Sequence, residues 1–308
     1  MSEYISGTLA ELNNHYAKKQ PKLLEYILEK TPVLEKIKFV ASSHGLWNAY
    51  EDVTGIHGAG FVDMNAPLPT MGVDTKLNKV DLAIMGGEMF CPEDKAQMFG
   101  GADAYFAKHT PLLLKDAGMT TETKIIYDNI RQYGIDNGNV VSAGGTAASG
   151  ASGLYSLVVF RQTEGENCGL YSPEGFKNGA GLDVKKVNGG NLYHKNDVLG
   201  YGLRFKGYFG MQLADKDGVA VIANISASKI PTAEQLDDAL IAAKATPSDT
   251  FIMCHPKVLS FLNKYKGDIL RMQVGDKNLD RTYLAWNGIP FITSYNFKNG
   301  TESAVTVA

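Results

Sequence analysis

Cysteine, arginine and long apolar runs are scarce in these 308 residues. Cys91, Cys168 and Cys254 form an odd, sparse set, which excludes the paired-cysteine scaffold of a small secreted domain and fits a reducing compartment. No stretch approaches 18 consecutive apolar residues, so no membrane span is expected. The opening MSEYISGTLAELNNHY lacks a basic segment followed by an apolar one, so no secretory signal peptide is expected either. Arg131, Arg161, Arg204, Arg271 and Arg281 are the only arginines, too scattered in sequence to point to a forked phosphate or carboxylate site. A net charge of -3 excludes a dedicated nucleic-acid binder of the usual basic kind.

What is present is ordinary in amount: 44% hydrophobic and 20% charged residues, enough for a globular core. A chain this long buries about 75% of its unfolded surface and needs neither disulfide nor metal to hold together. At about 150 residues per domain it is two units or one elaborated one. Glycine, at 33 residues, is above average and points to bends or extension.

Residues 1–40 read as a tail followed by a helix from Pro21, with Leu23, Leu24, Ile27 and Leu28 on one face and Thr31-Pro32 as its stop. Six lysines and five glutamates make this arm mixed rather than basic. Residues 41–90 carry two strand-like runs, LWNAYEDV and GVDTKLNKVDLAIM, around the Gly/Pro-rich GIHGAGFVDMNAPLPT. Two strands of about 10–15 residues would reach roughly 35–50 Å, and a lone two-stranded ribbon is marginal in water. It needs a second surface to lie on, which first suggests a partner. Residues 92–134 read as helical: a helix opening at Pro92, breaks at Gly100-Gly101 and Pro111, then TTETKIIYDNIRQY with Gly134 as its cap. From 139 to about 228 the pattern is β-rich, with hairpin turns expected at Asn188-Gly189 and Asp217-Gly218. Helices are expected at 233–245, where Thr232 and Gln235 have capping-box spacing, and at 256–266. Closing strands YLAWNG, PFITSYNF and ESAVTV are expected, the last two joined at Asn299-Gly300. The class is α+β, not alternating βαβ.

Catalytic and ligand motifs are weak. Gly145 to Ser152 has P-loop glycine spacing, but Ala151 stands where the lysine must be. Gly58-Ala59-Gly60 lacks the third glycine of a dinucleotide site because position 63 is Asp. Cys254-His255 suggests a thiolate–imidazole pair, yet strand neighbours point to opposite faces, so a core cysteine and a helix-entry histidine fit better. Gly150-Ala151-Ser152-Gly153 lacks the nucleophile-elbow spacing, and Cys91 before Pro92 reads as buried. The histidines at 15, 44, 57, 109, 194 and 255 have no zinc spacing; Asp215-Lys-Asp217-Gly218 reads as a turn rather than a calcium loop; Asp237-Asp238 read as a solvated helix face. No catalytic residue, cofactor or metal is expected.

The order of elements resembles the major capsid (coat) proteins of tailed bacteriophages, with the Hong Kong 97-type capsid fold. The matching pieces run from Asn139-Val-Val-Ser-Ala-Gly-Gly145 through Gly153-Leu154-Tyr-Ser-Leu-Val-Val-Phe160 and Gly169-Leu-Tyr-Ser-Pro173-Glu-Gly175 with Gly181-Leu182. Then come Arg204-Phe-Lys-Gly-Tyr-Phe-Gly-Met-Gln-Leu213, Val219-Ala-Val-Ile-Ala-Asn-Ile225, Phe251-Ile-Met-Cys-His-Pro256 and Trp286-Asn-Gly-Ile-Pro290. The resemblance covers roughly residues 86–305 and implies an N-terminal arm at 1–40 and an extended loop at 41–85 lying across a neighbouring subunit. It implies a peripheral domain at 86–140 and 246–308, with a spine helix at 120–134, and an axial domain at 141–245. It also implies a virion location, assembly of pentamers and hexamers in the host cytoplasm, and a portal protein as partner. A separate scaffolding protein, decoration proteins and weakly held double-stranded DNA complete the expected set, with no membrane. Where relatives often carry a basic residue before Ile-Ala-Asn, Val221 stands here. Some relatives cross-link a loop lysine to a neighbour's asparagine; the counterparts here would be Lys76 or Lys79 with Asn296 or Asn299. Glycines 55, 58, 60, 100, 101, 144 and 145 are the expected hinges. Alternatives are an encapsulin-like cellular shell of the same fold, a hydrolase using Cys254 or Ser152, and a ligand-binding module at 141–245.

Overall fold

The computed structural model describes residues 7–9, 11, 27–64, 66–145, 153–173, 183–263, 271–274 and 282–307. Most of the helix expected from Pro21 lies outside them; Ile27 and Leu28 are helical, and Ile27 is buried. Short strands β1 (Gly7–Thr8) and β2 (Lys38–Ala41) pair antiparallel, flanking α1 (Pro32–Lys36), where Pro32 takes the first-turn position whose N–H would be unpaired anyway. Strands β3 (Trp47–His57) and β4 (Gly72–Asp81) form the expected two-stranded ribbon, a sheet of its own. The chain then enters β5 (Ala83–Pro92) and α2 (Glu93–Met98), and breaks at Gly100 and Gly101, whose φ of +77° and +124° few other residues adopt.

The long helix α3 (Ala102–Lys124) continues without interruption through a π-helical turn (Ile125–Arg131) and on to Asp136. The break expected at Pro111 does not occur. The carbonyl that loses its partner there belongs to Ala107, on the exposed side, where water can replace the missing N–H. The cap lies at Gly138 (φ +75°) rather than Gly134. Gly134 serves packing instead, because a Cβ there would stand 2.7 Å from a Val221 methyl.

Two seven-stranded sheets share this helix. In the first, β11 (Val198–Leu213) is the central strand. β5 covers one edge, while β8 (Asn167–Tyr171), β9 (Asp183–Lys186) and β10 (Tyr193–Lys195) follow one another along the other. β2 adds to β8 in parallel. The second sheet runs β14 (Arg271–Val274), β15 (Thr282–Trp286), β16 (Ile289–Thr293), β13 (Thr250–Cys254), β7 (Tyr155–Arg161), β12 (Val219–Ile225) and β6 (Val140–Ser142). Its central strands are apolar on both faces, as strands covered on both sides must be. Val158, Phe160, Val219, Val221, Phe251 and Met253 face the core shared with α3. Leu157, Val159, Ala220, Ile222, Ile252 and Cys254 face α4 (Ala233–Ala242) and α5 (Pro256–Leu262). The expected capping box at Thr232 and Gln235 is formed in full.

Several turn readings need correction. Asn188-Gly189 joins no hairpin: β9 and β10 both pair with β11, and the tight turn is at Asn196-Asp197 (φ +51° and +62°). Asp217-Gly218 is the crossover from the first sheet to the second. Past Asn299-Gly300 the described residues form no strand beyond a single bridge, Thr301 to Leu154. Strands β8 to β11 share a sheet with β5, while β13 and β16 share one with β7.

Candidate assembly interface

The ribbon stands away from both cores. Alternate residues of β3 and β4 would bury one face if the subunit had a surface to offer, yet Ile56 is 74% exposed, Leu77 71% and Phe61 fully. Val53, Met64, Leu68, Met71 and Val73 are exposed as well. Large apolar side chains this closely grouped are not ordinary surface. The root is held differently. The Leu82 amide donates to the Leu46 carbonyl at 2.8 Å, and Asn48 Nδ2 donates to Gln212 Oε1 at 2.6 Å. His44 stacks on Trp47 at 3.8 Å, with the Lys79 ammonium 5.3 Å from the indole. Leu82, Cys168 and Leu170 form a small separate core beneath. A groove of about 510 Å³ opens beside the root, between β5 and α3, with Ile84, Ile125, Phe209 and Met211 in its walls.

Two buried polar clusters brace the body behind the ribbon, and sequence reasoning named neither. Glu122, on the buried face of α3, accepts the Val33 and Leu34 amides at 2.9 and 3.0 Å, so it caps α1 from outside that helix. The same carboxylate accepts Ser294 Oγ and, at 2.8 Å, Asn296 Nδ2. Burial pushes its pKa up and the hydrogen bonds only partly offset that. Further along α3, Arg131 meets Glu302 at 3.3 Å and donates to Ser156 Oγ at 2.9 Å. Tyr127 donates to Glu302 at 2.6 Å. The one available sequence signal was spacing: Glu122 lies three and four residues before Ile125 and Ile126, on their face.

The residues weighed for chemistry are not assembled into a site. Cys254 is fully buried, which pushes its thiol up to about 12, and His255 Nδ1 accepts the Lys257 amide at 3.0 Å as the cap of α5. The adjacent pair therefore serves core and cap. Cys91 is buried with its pKa raised. Residues 146–152, with Ser152 and most of the glycine loop, lie outside the described residues. Asp215 caps the 216–218 turn and pairs with Arg161. Asp237 is not merely solvated, since it accepts Trp286 Nε1 and Asn287 Nδ2, both at 2.8 Å. Lys79 pairs with Asp81 at 2.8 Å, and Lys76 stands opposite Asp52 on the ribbon. Asn296 is held by Glu122, and Asn299 accepts the Tyr155 hydroxyl at 3.0 Å; within one subunit neither lysine is bonded to either asparagine. Among the described residues no group of three or more His, Cys, Asp or Glu is placed to hold a metal, and no helix is long and apolar enough to cross a membrane.

No protein-family model and no curated protein matches the sequence, but solved structures match the fold. A chain of bacteriophage Epsilon15 is 14% identical, with a TM-score of 0.57 over 88% of this chain and 88% of that one. The bacteriophage JBD30 capsid is 9% identical, with a TM-score of 0.53 over 84% of this chain and 88% of the other. The holo-SrpI encapsulin complex from Synechococcus elongatus, 12% identical over 65% of this chain and 89% of that one, has a TM-score of 0.45, too low to carry an argument. The chain has the α+β Hong Kong 97-type fold that the order of its sequence segments implied.

Proposed function

We propose that this chain is the major capsid protein of a tailed bacteriophage, a structural subunit that self-assembles as pentamers and hexamers into an icosahedral shell around double-stranded DNA. The observation that carries the reading is the ribbon: apolar surface held some distance from the two main cores of its own subunit. Eleven residues of β3 span roughly 35 Å, far enough to cross onto a neighbouring molecule. The fold shared with a phage capsid supports the same conclusion. Contacts of about 1,000 Å² or more, repeated between each subunit and several neighbours, make the stability of the wall collective.

On this reading residues 1–40 are the arm and 41–85 the loop laid across a neighbour. The sheet built on β11, with α3, takes the peripheral role; the sheet built on β7, β12 and β13, with α4 and α5, takes the axial role at the centre of pentamers and hexamers. The near-neutral charge suits a wall that encloses DNA without gripping it. A portal protein, a separate scaffolding protein, decoration proteins, assembly in the host cytoplasm and residence in the virion belong to the same proposal.

Expression of the full chain and imaging by negative-stain electron microscopy tests it. Rings, tubes or closed shells are expected. A monodisperse monomer at high concentration would overturn the assignment, and particles that copurify with an enzyme cargo would move it to a cellular shell.

A further inference from the structure

We propose that one particular face of the ribbon, the one bearing Val53, Ile56, Val73 and Leu77, is the surface that lies on a second copy of this chain, and that a single β-bulge creates it. The inference rests on the shell reading and deepens it by naming the contact. In an antiparallel pair, opposed residues share a face and successive residues alternate. Glu51 opposes Leu77, Val53 opposes Thr75 and Ile56 opposes Val73. Along β4, residues 73, 75 and 77 share one face, so all three pairs do. Yet Val53 and Ile56 are three residues apart, and strict alternation would put them on opposite faces. The register shift between Val53 and Gly55 supplies the extra residue that brings them together.

The other face needs no cover. It carries Tyr50, Asp52, His57, Asp74, Lys76 and Asn78. Within it Asn78 Nδ2 donates to Asp52 at 3.3 Å, and His57 lies 3.2 Å from Asp74. Its polar groups meet one another, whereas the four aliphatic side chains opposite stay largely exposed even where Ile56 stands against Val73.

A second copy is the occupant that fits. Together with Phe61, Met64, Leu68 and Met71 around the closed end, the apolar face exposes on the order of 1,000 Å², comparable to the roughly 800 Å² each partner contributes to a specific interface. The same chain carries a groove at the ribbon's root, between β5 and α3, where Ile84, Ile125, Phe209 and Met211 line the wall beside Lys124 and Asp128. A projecting apolar face and a recessed one at different places on one molecule make a head-to-tail contact, the kind that closes into rings.

The test compares two pairs of substitutions in the full chain: Ile56→Lys with Leu77→Lys on the apolar face, and Tyr50→Lys with Asn78→Lys on the polar face. A third variant deletes Thr54, which removes the bulge while leaving Val53 and Ile56 two residues apart and on one face, opposite Thr75 and Val73. Thr54, Ile56 and Leu77 are exposed and Tyr50 and Asn78 half-buried, and far-ultraviolet circular dichroism should be unchanged in all three variants. Sedimentation and electron microscopy report the protein concentration needed for particles. The apolar-face pair is expected to raise it by about tenfold or more, from the aliphatic burial lost, and the polar-face pair and the deletion by less than about twofold. If the wild-type chain assembles and the two pairs behave alike, this inference falls, the shell reading stands, and the apolar face is left to a different protein. If the polar-face pair alone blocks assembly, the face assignment is reversed and the inference is overturned. If the wild-type chain forms no particles, the shell reading fails and takes the inference with it.

Discussion

The ribbon and the second sheet are both built from β-strands, and they place their apolar residues oppositely. In β7, β12 and β13 nearly every side chain is buried, against α3 on one face and α4 and α5 on the other. In β3 and β4 most are exposed, including Ile56, Leu77 and Val73. The sheet stabilises the subunit, while the ribbon leaves its hydrophobic free energy to be released on association. In such a chain, stability and assembly depend on different residues and can be perturbed separately.

The largest expected effect is in the sheet. Phe160→Ala removes an aromatic ring from the core shared by β7, β13 and α3 and should cost about 3–5 kcal/mol, read by urea unfolding of the unassembled subunit. Arg131→Met leaves the Glu302 carboxylate buried without its cation and should cost about 3–5 kcal/mol in the same assay; a loss under about 1 kcal/mol would mean that Tyr127 and Ser156 satisfy Glu302 unaided. Gly134→Val forces a side chain against Val221 and should cost about 1–3 kcal/mol.

A smaller effect concerns pH. Burial raises the Glu122 pKa above its ordinary 4.5, so the folded state holds that proton more firmly than the unfolded one. Its contribution is therefore fully present below about pH 4.5 and is lost as pH rises through the folded value. Glu122→Gln should flatten the fall in Tm over that window, and an unchanged slope would show that the carboxylate is fully solvated by its donors. The smallest effect is the one that most sharpens the contrast. Leu77→Ala, on the ribbon, should change subunit stability by no more than about 0.5 kcal/mol. A cost near that of Phe160→Ala would show that the ribbon folds onto its own body and would erase the difference between the two regions.

Much of this was legible in the sequence because it is encoded locally. The ribbon announced itself through two strand-like runs around a Gly/Pro-rich centre, and α4 through its capping box. The turn misreadings share one cause. Asn-Gly and Asp-Gly report a backbone able to adopt positive φ, as Asn188 does at +50°, but not which strands flank the turn in space. Strand partners here are chosen at long range, with β13 paired to β7 and β11 to β5. Pro111 misled for a different reason: a helix tolerates proline where the freed carbonyl faces water. Glu122 and Arg131 were unreadable as buried ions, since Ser294, Asn296 and Glu302 lie more than 170 residues further on. The ribbon's bulge was hidden too, because only the observed register shows that Val53 and Ile56 share a side.

The clamp at Glu302 also sets a timetable for the newborn polypeptide. Ser156 must wait 146 residues for the carboxylate that will accept its amide and hydroxyl. At ordinary ribosomal speeds that interval is roughly 7 to 30 s. Throughout it the central strand of the second sheet lacks a charge it will later enclose, and Asn224 lacks the Val305 backbone that finally straps it down. A polysome making this subunit would thus carry many half-closed bodies, each already displaying a greasy ribbon. On the shell reading proposed above, those nascent ribbons would have to be kept apart until the last dozen residues emerge and particles form.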